Sequence, residues 1–103
     1  MTAARPNQPL VLALLSYVKP IEEIDALRPR HLEWISARIE AGEVLLAGRR
    51  ASATGGVMLY RGEAEAVQAI ARTDPYIIEG AATLEIVGFT AAIASAEIGA
   101  LLA

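Results

Sequence analysis

His31 is the only histidine in the sequence, and the only side chain whose ordinary titration range spans neutrality, so it is the first residue to weigh as a general acid or base. It follows Arg28-Pro29-Arg30 and precedes Leu32, a setting that reads as the first turn of a helix with Pro29 near its start. There the helix dipole would disfavour an imidazolium, whereas a carboxylate alongside would favour it. Other routes to chemistry are narrow. The chain has no Cys, which removes disulfides, thiolate nucleophiles and thiolate metal sites. With a single His and no carboxylates at ligand spacing, no metal site is expected. Gly55 and Gly56 sit in neither a G-x-G-x-x-G nor a P-loop pattern, and no lysine is placed for a Schiff base, so no cofactor is expected. Asp74-Pro75-Tyr76 and Arg49-Arg50 complete the inventory. Taken one by one they have ordinary readings: Asp74 as a turn residue, Tyr76 as a core or interface aromatic, the arginines as solvated charges at a strand end. A lone His at a helix start is itself more often structural than catalytic.

The elements that would position these residues alternate regularly. Residues 9–18 form a strand with apolar side chains on both faces: Leu10, Leu12, Leu14 and Val18 on one, Val11, Ala13, Leu15 and Tyr17 on the other. Such a strand belongs in the middle of a sheet covered on both sides. A loop is expected over 19–28, then a helix from Pro29 with Leu32, Ile35 and Ile39 at helical spacing, Trp34 and Arg38 near the surface, and Gly42 as its cap. A strand at 44–48, a glycine turn at 52–56 and a strand at 57–60 make a hairpin. An amphipathic helix over 63–72 ends before Asp74-Pro75. A last strand spans about 82–89, and the Ala-rich tail 91–103 is a candidate helix.

The order β-α-β-β-α-β is that of the α+β ferredoxin-like folds, with a four-stranded antiparallel sheet. Two helices cover one face of such a sheet. The other face is apolar in the central strand and needs a cover. The simplest is a second copy, giving a homodimer through the open face, a dimeric α/β barrel; the alternative is the C-terminal tail folding back. Composition agrees. The chain has 103 residues, a single domain, of which 54% are hydrophobic, more than the ~45–50% of ordinary soluble domains. So small an interior hides little of that, which points to an oligomer. With 9 basic against 12 acidic residues and a net charge of −3, no nucleic-acid footprint is expected. The apolar run Leu10–Leu15 lacks a cleavage site, and no run approaches the ~18–20 residues of a membrane span. A cytoplasmic protein is expected.

Three motifs in register sharpen this reading. Arg28-Pro29-Arg30-His31-Leu32, Gly42-Glu43-Val44-Leu45-Leu46-Ala47-Gly48, and Asp74-Pro75-Tyr76 with Gly80 beyond it resemble the R-P-x-H-L, G-x-(apolar)-A-G and D-P-(aromatic) motifs of the YCII-related family. The resemblance runs over about residues 9–90. It implies a small dimer of ferredoxin-like fold with a His–Asp pair as acid/base machinery; dehydrochlorination of a chlorinated hydroxymuconate is among the activities recorded in the family. Carried over, the pair is His31 and Asp74. Many relatives have Pro after the A-G, where this chain has Arg49-Arg50, so a more cationic pocket rim is expected.

Two readings follow. In the first the chain is a lyase- or isomerase-like enzyme acting on a small anionic carbonyl or carboxylate. His31 is then the general base, Asp74 orients its ring, and Arg49, Arg50 and Tyr76 bind substrate. It requires His31 in a pocket with Asp74 within hydrogen-bond reach. In the second the chain is a non-catalytic dimeric ligand-binding or structural module, with His31 satisfied by backbone or solvent. One geometric expectation opposes the first reading. If the first helix begins at one end of the sheet and the second finishes at the other, His31 and Asp74 lie far apart unless a dimer mate supplies one of them.

Overall fold

The computed structural model describes residues 3–103. Strand β1 (Gln8–Tyr17) is followed by helix α1 (Ile21–Glu40), strands β2 (Val44–Arg49) and β3 (Gly55–Arg61), helix α2 (Ala64–Ala71), a short helix α3 (Pro75–Ile78), strand β4 (Ala82–Ala91) and helix α4 (Ala96–Leu102). The four strands form one sheet in the order β2-β3-β1-β4, every neighbouring pair antiparallel. This is the ferredoxin-like α+β arrangement expected from the sequence. The apolar strand β1 lies inside the sheet, as its two apolar faces require.

Register sorts the side chains between faces. Val11, Ala13 and Leu15 of β1 are buried with Met58 and Tyr60 of β3, beneath Ile24 and Ile35 of α1 and Val67 and Ala71 of α2. This is the main core. On the opposite face Leu12 pairs with Leu59 and Val87, and Leu14 with Val57 and Glu85. Leu102 of α4 packs there against Leu10, Ala91, Leu45 and Leu59, so the tail covers one end of that face. Leu46, Val87 and Phe89 remain exposed.

Helix α1 begins well before the expected Pro29. It starts after Pro20, carries Glu22 and Glu23 in its first turn where the helix dipole favours acids, and holds Pro29 in its interior. An interior proline removes the bond to the carbonyl four residues back, here Asp25. Both Pro29 and Asp25 are exposed, so water can satisfy the freed carbonyl. His31 is therefore not in a first turn but in the third, beyond the reach of the helix-end field. The far end is as expected: Gly42 adopts φ 79° beyond the last turn.

The hairpin between β2 and β3 also differs. Its left-handed residue is Ala53, with φ 60°, and Gly55 and Gly56 lie within β3. At Gly55 a Cβ would collide with the Leu15 carbonyl, so that glycine serves strand approach and not the turn. Among the described residues no helix is long and apolar enough to cross a membrane.

Candidate functional site

Helix α1 places one stripe on the sheet: Ile24 and Ile35 are buried, and Leu27, His31 and Trp34 are half-buried between them. His31 thus points inward by helical spacing. Asp74 caps the N-terminus of α3, accepting from the Tyr76 amide at 2.9 Å, with Pro75 in the first helical position that suits it. That cap lies against α1. The second oxygen-side contact of the same Oδ1 is the imidazole: His31 Nδ1 stands 2.9 Å from it. Asp74 is completely buried, and His31 keeps 15% of its side chain exposed. The Tyr76 ring stacks on the imidazole, centroids 4.2 Å apart and planes 14° apart. Nearby, Trp34 Nε1 donates to Thr73 Oγ1 at 3.0 Å and fastens α1 to the segment before α3.

The expected separation of His31 and Asp74 does not hold; they meet within one chain. The physical reason is topological. Tyr17 at the end of β1 pairs with Ala82 at the start of β4. Helix α1 therefore begins, and the α2–α3 segment finishes, at the same end of the sheet.

A carboxylate only accepts, so Asp74 Oδ1 favours a proton on Nδ1, which leaves Nε2 as the basic nitrogen. A buried carboxylate facing the ring also offsets the positive charge that arises when Nε2 takes a proton. His31 lines a cavity of about 330 Å³ between α1 and strands β2 and β3, near the lower end of small-molecule sites at ~300–1,000 Å³. Arg28, Arg49, Tyr17 and Tyr76 line the same end. Arg49 holds its guanidinium 5.8 Å from the Tyr17 ring centroid and 3.8 Å from Asp25. Tyr17 meets Tyr76 edge-on at 5.8 Å. The Tyr76 hydroxyl is buried and has no hydrogen-bond partner among the described residues, and the same is true of Asp74 Oδ2. Burial pushes the Tyr76 hydroxyl above its usual range, with Tyr17 adding to the rise and the guanidiniums of Arg28 and Arg49 opposing it. The phenol therefore remains a neutral donor at ordinary pH.

Of the five residues singled out in the sequence, four come together: His31, Asp74, Tyr76 and Arg49. Arg50 does not join them. Its guanidinium reaches Ser16 Oγ at 3.4 Å, and its backbone closes the hairpin with Gly55. Arg28 takes the second cationic position on the cavity. It lies one helical turn before His31 on the same face, a relation hidden while the helix was placed from Pro29 onward. Tyr17 was legible only as an inward residue of β1. Among the described residues no group of three or more His, Asp or Glu is placed to hold a metal ion.

The antiparallel ferredoxin-like sheet with helices on one face places the chain among the small α+β proteins. Within that class, residues 8–90 match the YCII-related domain, and the chain belongs to that family. Among solved structures it is similar to the 5-chloro-2-hydroxyhydroquinone dehydrochlorinase TftG of Burkholderia phenoliruptrix AC1100, in complex with 2,5-dihydroxybenzoquinone. The TM-score is 0.61 at 12% identity, over 75% of this chain and 90% of that one. At that identity the likeness concerns the fold. No curated protein matches the sequence.

Proposed function

We propose that this chain is a small acid–base enzyme acting on a compact anionic carbonyl or carboxylate compound. The observation that carries the reading is the 2.9 Å contact between His31 Nδ1 and the fully buried Asp74, set in the wall of a cavity that also presents Arg28 and Arg49. In this reading His31 Nε2 removes a proton from the carbon beside the substrate carbonyl. The C–H electron pair moves into an enolate, and the imidazolium so formed is balanced by Asp74. Arg49 and Arg28 hold the substrate's anionic group, and the unpartnered Tyr76 hydroxyl donates to the developing enolate oxygen. Expulsion of a leaving group from the next carbon completes a lyase reaction; return of the proton to another carbon completes an isomerisation. The dehydrochlorinase named for the similar structure fits the first of these.

The homodimer belongs to the same proposal. The open face of the sheet carries Leu12, Leu14, Val57 and Val87 beyond the end covered by Leu102, an apolar area that a second copy would cover. A cytoplasmic setting suits a chain without Cys.

The direct test is exchange of carbon-bound protons with deuterated solvent, followed by NMR over a panel of small 2-oxo acids and enolisable carboxylates. The wild type is expected to exchange at least one of them faster than solvent alone, and His31→Gln to lose that acceleration by ~10²-fold or more. Binding without exchange in either protein would leave the ligand-binding module as the correct reading.

A further inference from the structure

The cavity has a second half that the acid–base reading leaves unused. From His31 it continues along α1 past Leu32, Ile35, Ser36 and Ile39, which fall on one helical face. Opposite them stand Ala47 and Gly48 of β2 with Met58 of β3. All the charge lies at the other end, with Arg28 and Arg49. The eight helical steps from His31 to Ile39 span ~12 Å. Leu32 and Ile39 leave 45% and 44% of their surface uncovered, a large exposure for apolar residues facing a sheet. The slot stays open because the strands opposite carry small residues. A Cβ at Gly56 would meet its nearest neighbours at 3.5 and 3.9 Å, and one at Gly48 would meet nothing. Backbone crowding demands neither glycine. Gly48 pairs with Val57 and turns to the open face, whereas Gly56 pairs with Leu15 on the helical face, where its missing side chain leaves the cavity its width.

We infer that the substrate is amphiphilic: an anionic carbonyl head held at His31, Arg28 and Arg49, and a hydrocarbon tail laid between α1 and the Ala47–Gly48 edge of β2. This rests on the acid–base reading for the head group and adds the tail. The occupant is assigned from continuity: the apolar arm opens into the cationic end and belongs to the same cavity. Ala47 and Gly56 then set the tail's bulk and Ile39 its length.

The experiment is calorimetric titration of the protein with straight-chain 2-oxo acids, from pyruvate through 2-oxooctanoate. In the wild type, affinity is expected to rise two- to fourfold with each added methylene, as burial of hydrocarbon requires, until the arm is filled. Ala47→Leu, which fills the arm away from His31, is expected to abolish the rise while leaving pyruvate binding within twofold. Ile39→Gln, at an exposed position that the fold tolerates, is expected to weaken only the longest acids. Equal affinity along the series, with pyruvate still bound and still weakened by Arg49→Ala, would overturn the tail and leave the head-group site standing. A change in oligomeric mass in Ala47→Leu with no dependence on chain length would assign the arm to a second copy and overturn the inference. Failure of every acid to bind would remove both readings.

Discussion

At the scale of single residues, the chemistry depends on one shared oxygen. Asp74 Oδ1 accepts from the Tyr76 amide and faces His31 Nδ1, so the helix cap and the histidine partner are the same atom. Asp74→Asn separates the two roles, since it keeps the shape but loses the charge. With its oxygen on the Tyr76 amide, its amide N–H can turn toward His31 Nδ1 and favour the other tautomer. The variant is expected to fold normally and to lose its proton-exchange activity by ~10²–10⁴-fold, the usual range for general acid–base catalysis. Nitrogen chemical shifts of the imidazole would report the cause, as a loss of the Nδ1-protonated tautomer. Unchanged shifts would mean that Asp74 does not orient the ring. Tyr76 makes a complementary case. Its hydroxyl is buried without a partner, and an unsatisfied buried polar group costs ~1–3 kcal/mol. Tyr76→Phe should therefore raise stability to urea by ~1 kcal/mol while lowering substrate affinity. A loss of stability would show that the hydroxyl has a structural partner and no ligand role. His31, Asp74 and Tyr76 were legible in the sequence because each stands in a short motif. Their contact was not, since it depends on where two helix ends fall relative to one another.

At the scale of elements, the least legible feature was the start of α1. Pro29 carries two opposed signals: proline suits a first helical position, and it disrupts an interior one. What outweighs the disruption is distributed over the eight residues before it. Ile24 is fully buried in the core, and Glu22 and Glu23 sit in the first turn. Burial of Ile24 contributes ~1.5–3 kcal/mol, comparable with the ~3 kcal/mol cost of the proline. Sequence spacing alone could not weigh a core that only the folded sheet provides. The extra turns bring Arg28 onto the cavity and carry His31 to the level of Asp74, so the site depends on them. Pro29→Ala tests the balance. It restores the helical bond from residue 29 to the Asp25 carbonyl, and part of the gain is offset by the freer unfolded chain. A net gain of ~1–2 kcal/mol in urea denaturation is expected, as is retention of the His31–Asp74 contact. A destabilised variant would mean that the proline bend itself shapes the packing of α1. The strands were easier to read. The alternation in β1 and the β2–β3 hairpin were visible in the pattern, although the glycines assigned to the turn belong to β3, where Gly55 lets the Leu15 carbonyl approach.

At the scale of the whole molecule, the question is how one chain disposes of a sheet that is apolar on both faces. Half of the answer is internal. Helices α1 to α3 cover the face that holds the site, and α4 seals one end of the other face through Leu102. The remainder falls to a second copy under the proposed dimer, and Val87 is the residue with which to test it. It sits on β4 opposite Leu12, in the uncovered part of the face, and is 46% exposed in the single chain. In a monomer Val87→Glu would be an ordinary surface change, within ~0.5 kcal/mol. In a face-to-face dimer it would place a carboxylate in an apolar interface, and two-fold symmetry would set it near its own copy. Light scattering coupled to gel filtration is expected to give a dimeric mass for the wild type and a monomeric mass for the variant. Far-ultraviolet circular dichroism should be unchanged, because the core beneath α1 and α2 lies on the other side of the sheet. A monomeric wild type would show that α4 is cover enough, and a variant that stays dimeric would move the interface off this face. The site makes the distinction consequential. His31, Asp74 and their cavity lie entirely on the helical face of one chain, so the monomeric variant should keep its proton-exchange activity wherever it stays folded. Loss of activity with retained structure would mean that the second copy contributes to the cavity, and the proposed site would have to be redrawn across two chains.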